Sequence, residues 1–217
     1  MMLGVTRLAT AFKGRISAFR SNSTTAAGPS AVSHAPEAYS GAVQAMHWSM
    51  GGCVLGCFAY VNFAQQTKDK QLKTEYMFIH KSFGTLACML LVPRVLVRVM
   101  SKRVGPVSPE AWVRFGANAG HAAMYGFLTL MPVTGVVMGY YGGNGLPFFT
   151  TTLPAAPADQ LDKKLAGQAY KLHKQFGWYM EMLFLGHLGG VAFHALRGET
   201  ILARILPIGG AAKAPKP

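Results

Sequence analysis

Acidic residues are scarce in this chain: eight Asp and Glu stand against 21 Lys and Arg in 217 residues, and none precedes Glu37. Charge of either sign is also scarce, at 13% of residues, while 51% are hydrophobic. A soluble domain has about a quarter of its residues charged, so this composition argues for a protein dissolved in lipid. Cysteine is nearly absent. Cys53, Cys57 and Cys88 all lie inside apolar runs, which excludes a disulfide framework. Cys53 and Cys57 share a helix face, where disulfide geometry is poor, and they read as small packing residues. No period of 20–50 residues repeats, which excludes a solenoid.

What charge there is has a strong bias. The formal net charge is +13, and removing Arg7, Lys13, Arg15 and Arg20 of the N-terminal arm leaves +9. A basic excess of this size can signal nucleic acid. Here the lysines and arginines flank long apolar runs, so they read as membrane-flanking charge and no nucleic-acid partner is expected.

Residues 1–36 have the composition of a mitochondrial targeting arm. Arg7, Lys13, Arg15 and Arg20 alternate with Leu3, Val5, Leu8, Phe12, Ile16 and Phe19, and Ser and Thr cluster from Ser21 to Thr25. The arm lacks the long uncharged core of a secretory signal. A disordered basic tail is the other reading. His34 lies in this arm and needs no role.

Four apolar segments follow, at about Val43–Ala64, Tyr76–Met100, Gly116–Tyr141 and Ala166–Leu196. Each reaches the ~20 residues that cross ~30 Å of hydrocarbon. Pro93 and Pro132 lie inside the second and third, where membrane helices tolerate them, with kinks. Short connections make the helices antiparallel neighbours. The expected fold class is all-α, an integral membrane four-helix bundle over residues 37–207, with a C-terminal tail at 208–217.

Charge orients the bundle. Arg94, Arg98, Lys102, Arg103 and Arg114 gather around the second connection, and Arg197, Arg204, Lys213 and Lys216 follow the last segment. Four crossings place both groups on the side of the N-terminus. The other side has lysines only, diluted by Asp69, Glu75, Asp159 and Asp162. The positive-inside rule then puts both termini in the matrix, if the membrane is the mitochondrial inner membrane. The longest connection, residues 142–165, starts in a glycine-rich turn, Gly142-Gly143-Asn144-Gly145, followed by Phe148-Phe149. It either caps the bundle or lies in the membrane interface.

The histidines carry the chemistry. His173 and His187 are fourteen residues apart on one segment, so they fall about 40° apart on one helix face and about 21 Å apart along its axis. That puts one imidazole near each side of a bilayer. Imidazole is the usual axial ligand of b-type haem, and two such ligands give a six-coordinate iron suited to electron transfer. Both must sit at one depth on facing helices. His47, about one turn into the first helix, matches His187. His80, near the start of the second, matches His173. No Cys-x-x-Cys-His run provides covalent haem attachment. Intramembrane ionisable groups are costly and mark function.

In order and spacing, Met46-His47-Trp48, Ile79-His80-Lys81-Ser82-Phe83-Gly84, Gly120-His121, Leu130-Met131-Pro132-Val133-Thr134-Gly135, Leu172-His173-Lys174 with His187 and His194, and Arg204-Ile205-Leu206-Pro207 resemble the bacterial-type cytochrome b561 family. The resemblance spans about residues 40–207. It implies a four-helix dihaem membrane cytochrome, with His47, His80, His173 and His187 as iron ligands. The ascorbate-linked cytochromes of similar name have six helices, so four argue against them. The resemblance also makes His121 a partner for a haem propionate or a quinone, although core packing with one hydrogen bond is the competing reading. His194 replaces His187 as ligand if the fourth helix sits lower.

Haem propionates need cationic partners. Arg94 and Arg98 are placed for the matrix-side haem, Lys81 and Lys174 for the outer one, with interface anchoring by snorkelling as the alternative for all four. Gly51, Gly52, Gly56, Gly84, Gly189 and Gly190 crowd near the ligands and suit close approach of a porphyrin or of a helix. Trp48 and Trp178 read as packing or interface anchors. Glu181, in mid-helix, lies about 80° from His173 and about 120° from His187. It is expected to be neutral or paired, as a proton relay or a contact to a neighbouring subunit.

Two functions compete. One is an electron carrier with two haem b, exchanging electrons with the quinone pool. Relatives include quinone-linked members that oxidise superoxide, an anion that lysines near the outer haem attract. The other is a haem-containing accessory subunit of a respiratory complex, in contact with its other subunits and with membrane lipid.

Overall fold

The computed structural model describes residues 37–199 and 201–207. The expected targeting arm and the C-terminal tail lie outside the described residues. Four long helices dominate: α1 (Gly41–Gln66), α2 (Lys70–Met100), α3 (Ala111–Tyr141) and α4 (Lys163–Leu196). A short helix, α5 (Ile201–Ile205), ends the described chain, and a two-stranded hairpin, β1 (Leu146–Phe148) with β2 (Thr151–Leu153), fills the α3–α4 connection. The end of the bundle holding the start of α1 and the end of α4 is called the terminal end below; the opposite one is the hairpin end.

Local chemistry sets the helix starts. Ser40, Asp69 and Asp162 are N-caps, and each accepts a backbone N–H of the first turn: Val43 at 3.4 Å, Gln71 at 2.7 Å and Leu165 at 2.8 Å. Such caps satisfy donors that the helix leaves free. α2 and α3 start six and five residues before the apolar segments read from sequence, because Asp69 and Glu110, not the first apolar run, mark their beginnings. Both continue through their prolines as single helices.

All four are long enough to cross a bilayer, the shortest having 26 residues. α2 and α3 also pass on composition alone. In α1, His47, Ser49, Gly51, Gly52 and Asn62, and in α4, Lys171, His173, Lys174, Glu181 and His187, dilute the hydropathy of the middle of the helix. Their outer faces are nevertheless apolar: Leu55 and Phe63 on α1, and Leu185 and Leu188 on α4, are exposed. In water such faces would cost ~25 cal/mol per Å2; against lipid tails they cost nothing.

The bundle is built as two hairpins. α1 lies along α2 and α3 along α4, α2 touches α3 less, and the α1 and α4 backbones barely approach. Side chains bridge that wider gap. Phe58 meets Phe184 at 5.4 Å between ring centroids, and the Asn62 amide donates to Glu181 at 3.2 Å. Glu181 is therefore paired, and within its own chain. Met50, Cys53, Ala87, Leu128 and Met180 form a small apolar core at the centre.

The 142–162 connection caps the bundle. The Phe149 N–H donates to Ser82 Oγ at 2.9 Å, and the Ser82 hydroxyl donates in turn to the Phe78 carbonyl at 2.9 Å. Phe149 packs edge-on against Phe83 at 5.3 Å. It takes φ of 52°, a left-handed conformation unusual for a side chain of this size; the serine bond and the aromatic contact hold it there.

At the terminal end the last described residues fold back over α1. The Trp48 indole donates to the Ile205 carbonyl at 2.9 Å, and the Gln44 amide donates to the Arg204 carbonyl at 3.2 Å. Arg204 itself donates to Gly105 O at 2.8 Å. Trp48 is thus a tether between the two ends of the domain. Arg197 bonds Glu110 and Glu199, and its hydrogen bond holds the Glu110 carboxyl below the usual carboxylate value. Lys102 does the same to Glu37.

Candidate metal centre

Two histidine pairs face each other across the gap. The His47 and His187 rings lie 6.3 Å apart between centroids, joining α1 to α4. The His80 and His173 rings are also 6.3 Å apart, joining α2 to α4. These are the combinations that matching depth selects from sequence. Among the described residues, no group of three or more His, Cys, Asp or Glu converges as a metal cage. Zinc takes four protein ligands in structural sites and three in catalytic ones. Two imidazoles alone suit a metal whose other positions are filled by a macrocycle.

The spacing tests that fit. A metal–imidazole bond is about 2.0 Å and the ring nitrogen lies about 1.1 Å from its centroid, so two imidazoles on opposite sides of one metal have centroids about 6.3 Å apart. Both pairs match.

Hydrogen bonds fix the tautomers of one pair. His80 Nδ1 lies 2.9 Å from the Cys57 carbonyl, which can only accept, so Nδ1 carries the proton. His173 Nδ1 lies 3.0 Å from Thr134 Oγ1. The Thr134 hydroxyl is within 2.8 Å of the Leu130 carbonyl and 3.0 Å of the Met131 carbonyl, so its proton is committed there and its oxygen accepts from His173. Both rings then keep the Nε2 lone pair for a metal. Partners of this type orient metal-bound histidine.

The other pair has a different surrounding. His121 places its ring 6.0 Å from His187, beside the pair and not between its members. Arg94 donates to the Met46 carbonyl, next to His47, at 2.9 Å and stands 5.6 Å from the Tyr125 ring. Its Nε is buried with no hydrogen-bond partner. An orphaned guanidinium N–H is costly and suits an anionic acceptor such as a carboxylate group of a haem. Arg98 lies further out, 6.0 Å over the Tyr39 ring.

The remaining sequence candidates separate. Lys81 lines a surface groove on α2 with Lys70 and Lys73, and Lys174 is exposed on α4; each follows a histidine of the His80–His173 pair. His194 is buried against Glu199, at the end of α4, and stands outside both pairs. Of the glycines near the histidines, Gly56 alone has a tight neighbour: an added Cβ would lie 2.7 Å from the Phe83 ring, and nothing lies within 4 Å at Gly51, Gly52, Gly84, Gly189 or Gly190. Sequence reading missed the parts played by Cys57 and Thr134. A backbone carbonyl leaves no trace in side-chain pattern. Thr134 stands in the Leu130–Gly135 run, whose polar residue after a proline was the available signal.

The sequence profile of the prokaryotic cytochrome b561 family matches residues 38–207. Cytochrome b561 homolog 2 of Escherichia coli (strain K12) is 31% identical over 178 residues, covering 79% of this chain and 92% of the relative.

Proposed function

The chain belongs to the prokaryotic cytochrome b561 family, as a membrane electron-transfer protein, and from that premise we propose that it binds two haem b and passes electrons between the two faces of the bilayer. The observation that carries this reading is the equal 6.3 Å separation of two histidine pairs that share α4. Haem bound there would supply one-electron chemistry. The residues do the rest. His47 with His187, and His80 with His173, hold the iron. Cys57 and Thr134 orient the hairpin-end imidazoles, Arg94 receives a propionate, and the apolar core around Met50, Leu128 and Met180 keeps water from the space between.

The acceptor or donor at the terminal end is proposed to be a quinone beside His121, whose ring is next to His187 and free of iron in this assignment. The arginine-rich terminal end supports placing both termini in the matrix of a mitochondrial inner membrane. Superoxide is a candidate donor at the hairpin end. An unchanged rate of superoxide-driven reduction in a Lys81→Gln/Lys174→Gln variant removes it.

The first experiment is a reduced-minus-oxidised spectrum of the purified chain with haem quantitation, expected to give b-type bands and two haems per chain; a haem-free protein overturns the proposal. A sharper measurement uses Thr134→Val. Loss of a partner of this type typically lowers metal affinity about 10–100-fold. The hairpin-end haem should become easier to extract and shift in potential, while the other is unchanged.

A further inference from the structure

The start of α2 carries a lysine-lined groove of which the electron-transfer reading uses only Lys81. Lys70, Lys73 and Lys81 line one groove with Met77 and Phe78, and Pro147 of β1 closes its far side. The volume is about 450 Å3. On a helical wheel the three lysines fall within about 80° of one another, with Met77 between them. Lys70 and Lys73, about one turn apart, repel each other, and Lys81 lies about 12 Å further along the axis from Lys73 on the same face.

No carboxylate of the described residues offsets them. Asp69 is occupied in capping α2, accepting Gln71 N at 2.7 Å and Leu72 N at 3.2 Å. Glu75 lies about 140° round the helix from Lys70 and accepts from the Gln71 amide at 3.1 Å. None of the ion pairs among the described residues includes Lys70, Lys73 or Lys81. The groove therefore carries three lysines that have no ion pair among the described residues.

Its shape narrows the anion's chemistry. Lys70 and Lys73 are exposed at the water-facing start of α2, whereas Lys81, Met77 and Phe78 are partly buried deeper along it. At about 450 Å3 the open groove has room for a glycerophosphate group. Met77, Phe78 and Pro147 give it an apolar wall beside the lysines. A free phosphate would use the lysines and leave Met77, Phe78 and Pro147 without a partner. An ion with a hydrocarbon tail uses both.

We propose that this groove is a binding site for an anionic phospholipid, with its phosphate among Lys70, Lys73 and Lys81 and an acyl chain over Met77 and Phe78. The hairpin helps form the site: the Phe149–Ser82 bond ties it to α2 and holds Pro147 over the groove. A lipid bound here bridges α2 and the cap of the hairpin end.

The test is native mass spectrometry of the full haem-loaded chain in detergent, titrated with phosphatidylglycerol and, separately, phosphatidylcholine. The unaltered protein should retain phosphatidylglycerol preferentially. Lys70→Gln/Lys73→Gln should lower its apparent affinity about 30-fold, the effect expected of two lysines at a membrane surface. Lys163→Gln/Lys164→Gln removes the same charge from the start of α4, at the same end, and should change it less than threefold. Equal retention of both lipids, an unchanged Lys70→Gln/Lys73→Gln variant, or an equal loss in the α4 variant each overturns the site. Inorganic phosphate that displaces the lipid at comparable concentration would assign the groove to a free anion and overturn the lipid. Should the glutamine variant fold poorly, Lys70→Arg/Lys73→Arg must keep the preference, and its loss overturns the proposal. Haem content measured on the same samples separates this result from failure of the haem assignment.

Discussion

On the proposed assignment of two haem b per chain, His173→Ala is expected to leave one, and the haem retained should be the one at the terminal end. The expectation follows from how α4 is used. His173 and His187 share this helix but face different partners, His80 on α2 and His47 on α1. Between the two levels stand Met50, Cys53, Ala87, Leu128 and Met180, a packed apolar layer with no histidine in it. Removing the His173 imidazole takes away one of the two histidines that would hold iron at the hairpin end and also leaves Thr134 Oγ1 without its donor. Nothing in the His47–His187–His121 group touches either change. His187→Ala should give the mirror result. Haem quantitation and the low-spin signals of each variant read this directly. If either substitution removes both haems, the two sites are one cooperative unit and the layered assignment fails.

Gly56→Leu should have the next largest effect, and it tests packing where the first tests chemistry. A Cβ at position 56 falls 2.7–2.8 Å from three atoms of the Phe83 ring, closer than any relaxed contact. Phe83 cannot withdraw freely. It stacks on Tyr60 at 6.1 Å and meets Phe149 edge-on at 5.3 Å, so its displacement loosens α1, α2 and the hairpin cap together. Overpacking of this kind costs about 1–3 kcal/mol. Cys57, the next residue, accepts the His80 hydrogen bond that fixes the imidazole. The expected result is a melting temperature lowered by several degrees together with weakened binding of the hairpin-end haem. Gly167→Ala is the control: it is exposed near the start of α4 with open space around it and should be neutral in both measurements. A neutral Gly56→Leu would mean that α1 and α2 are held apart by something other than this contact.

Much of this architecture is legible in the chain because it depends on short-range pattern. Segment length and apolar composition mark the four spans, and a strict fourteen-residue spacing puts two histidines on one face whatever the neighbours do. Matching by depth then selects His47 for His187 and His80 for His173, since helices of bilayer length leave few other choices. The charge asymmetry is equally local. By contrast, Trp48 reads as an anchor from sequence and is a tether to Ile205, 157 residues away. The α3–α4 connection has no hydrophobic period to read, and its position as a cap depends on the bond to Ser82, the Phe149–Phe83 contact and backbone bonds from Ala156 and Asp162 to the end of α3.

The sequence by itself determined that this is a four-helix membrane protein with histidines at two depths, because the bilayer imposes length and polarity on each segment separately. Only the tertiary structure decided which atoms surround those histidines. The Cys57 carbonyl, the Thr134 hydroxyl, the orphaned Nε of Arg94 and the Asn62 amide on Glu181 are brought into place by helices that are distant in sequence. The physical reason is that hydrogen bonding is decided over about 3 Å, a distance set by how backbones cross and not by the spacing of residues along them.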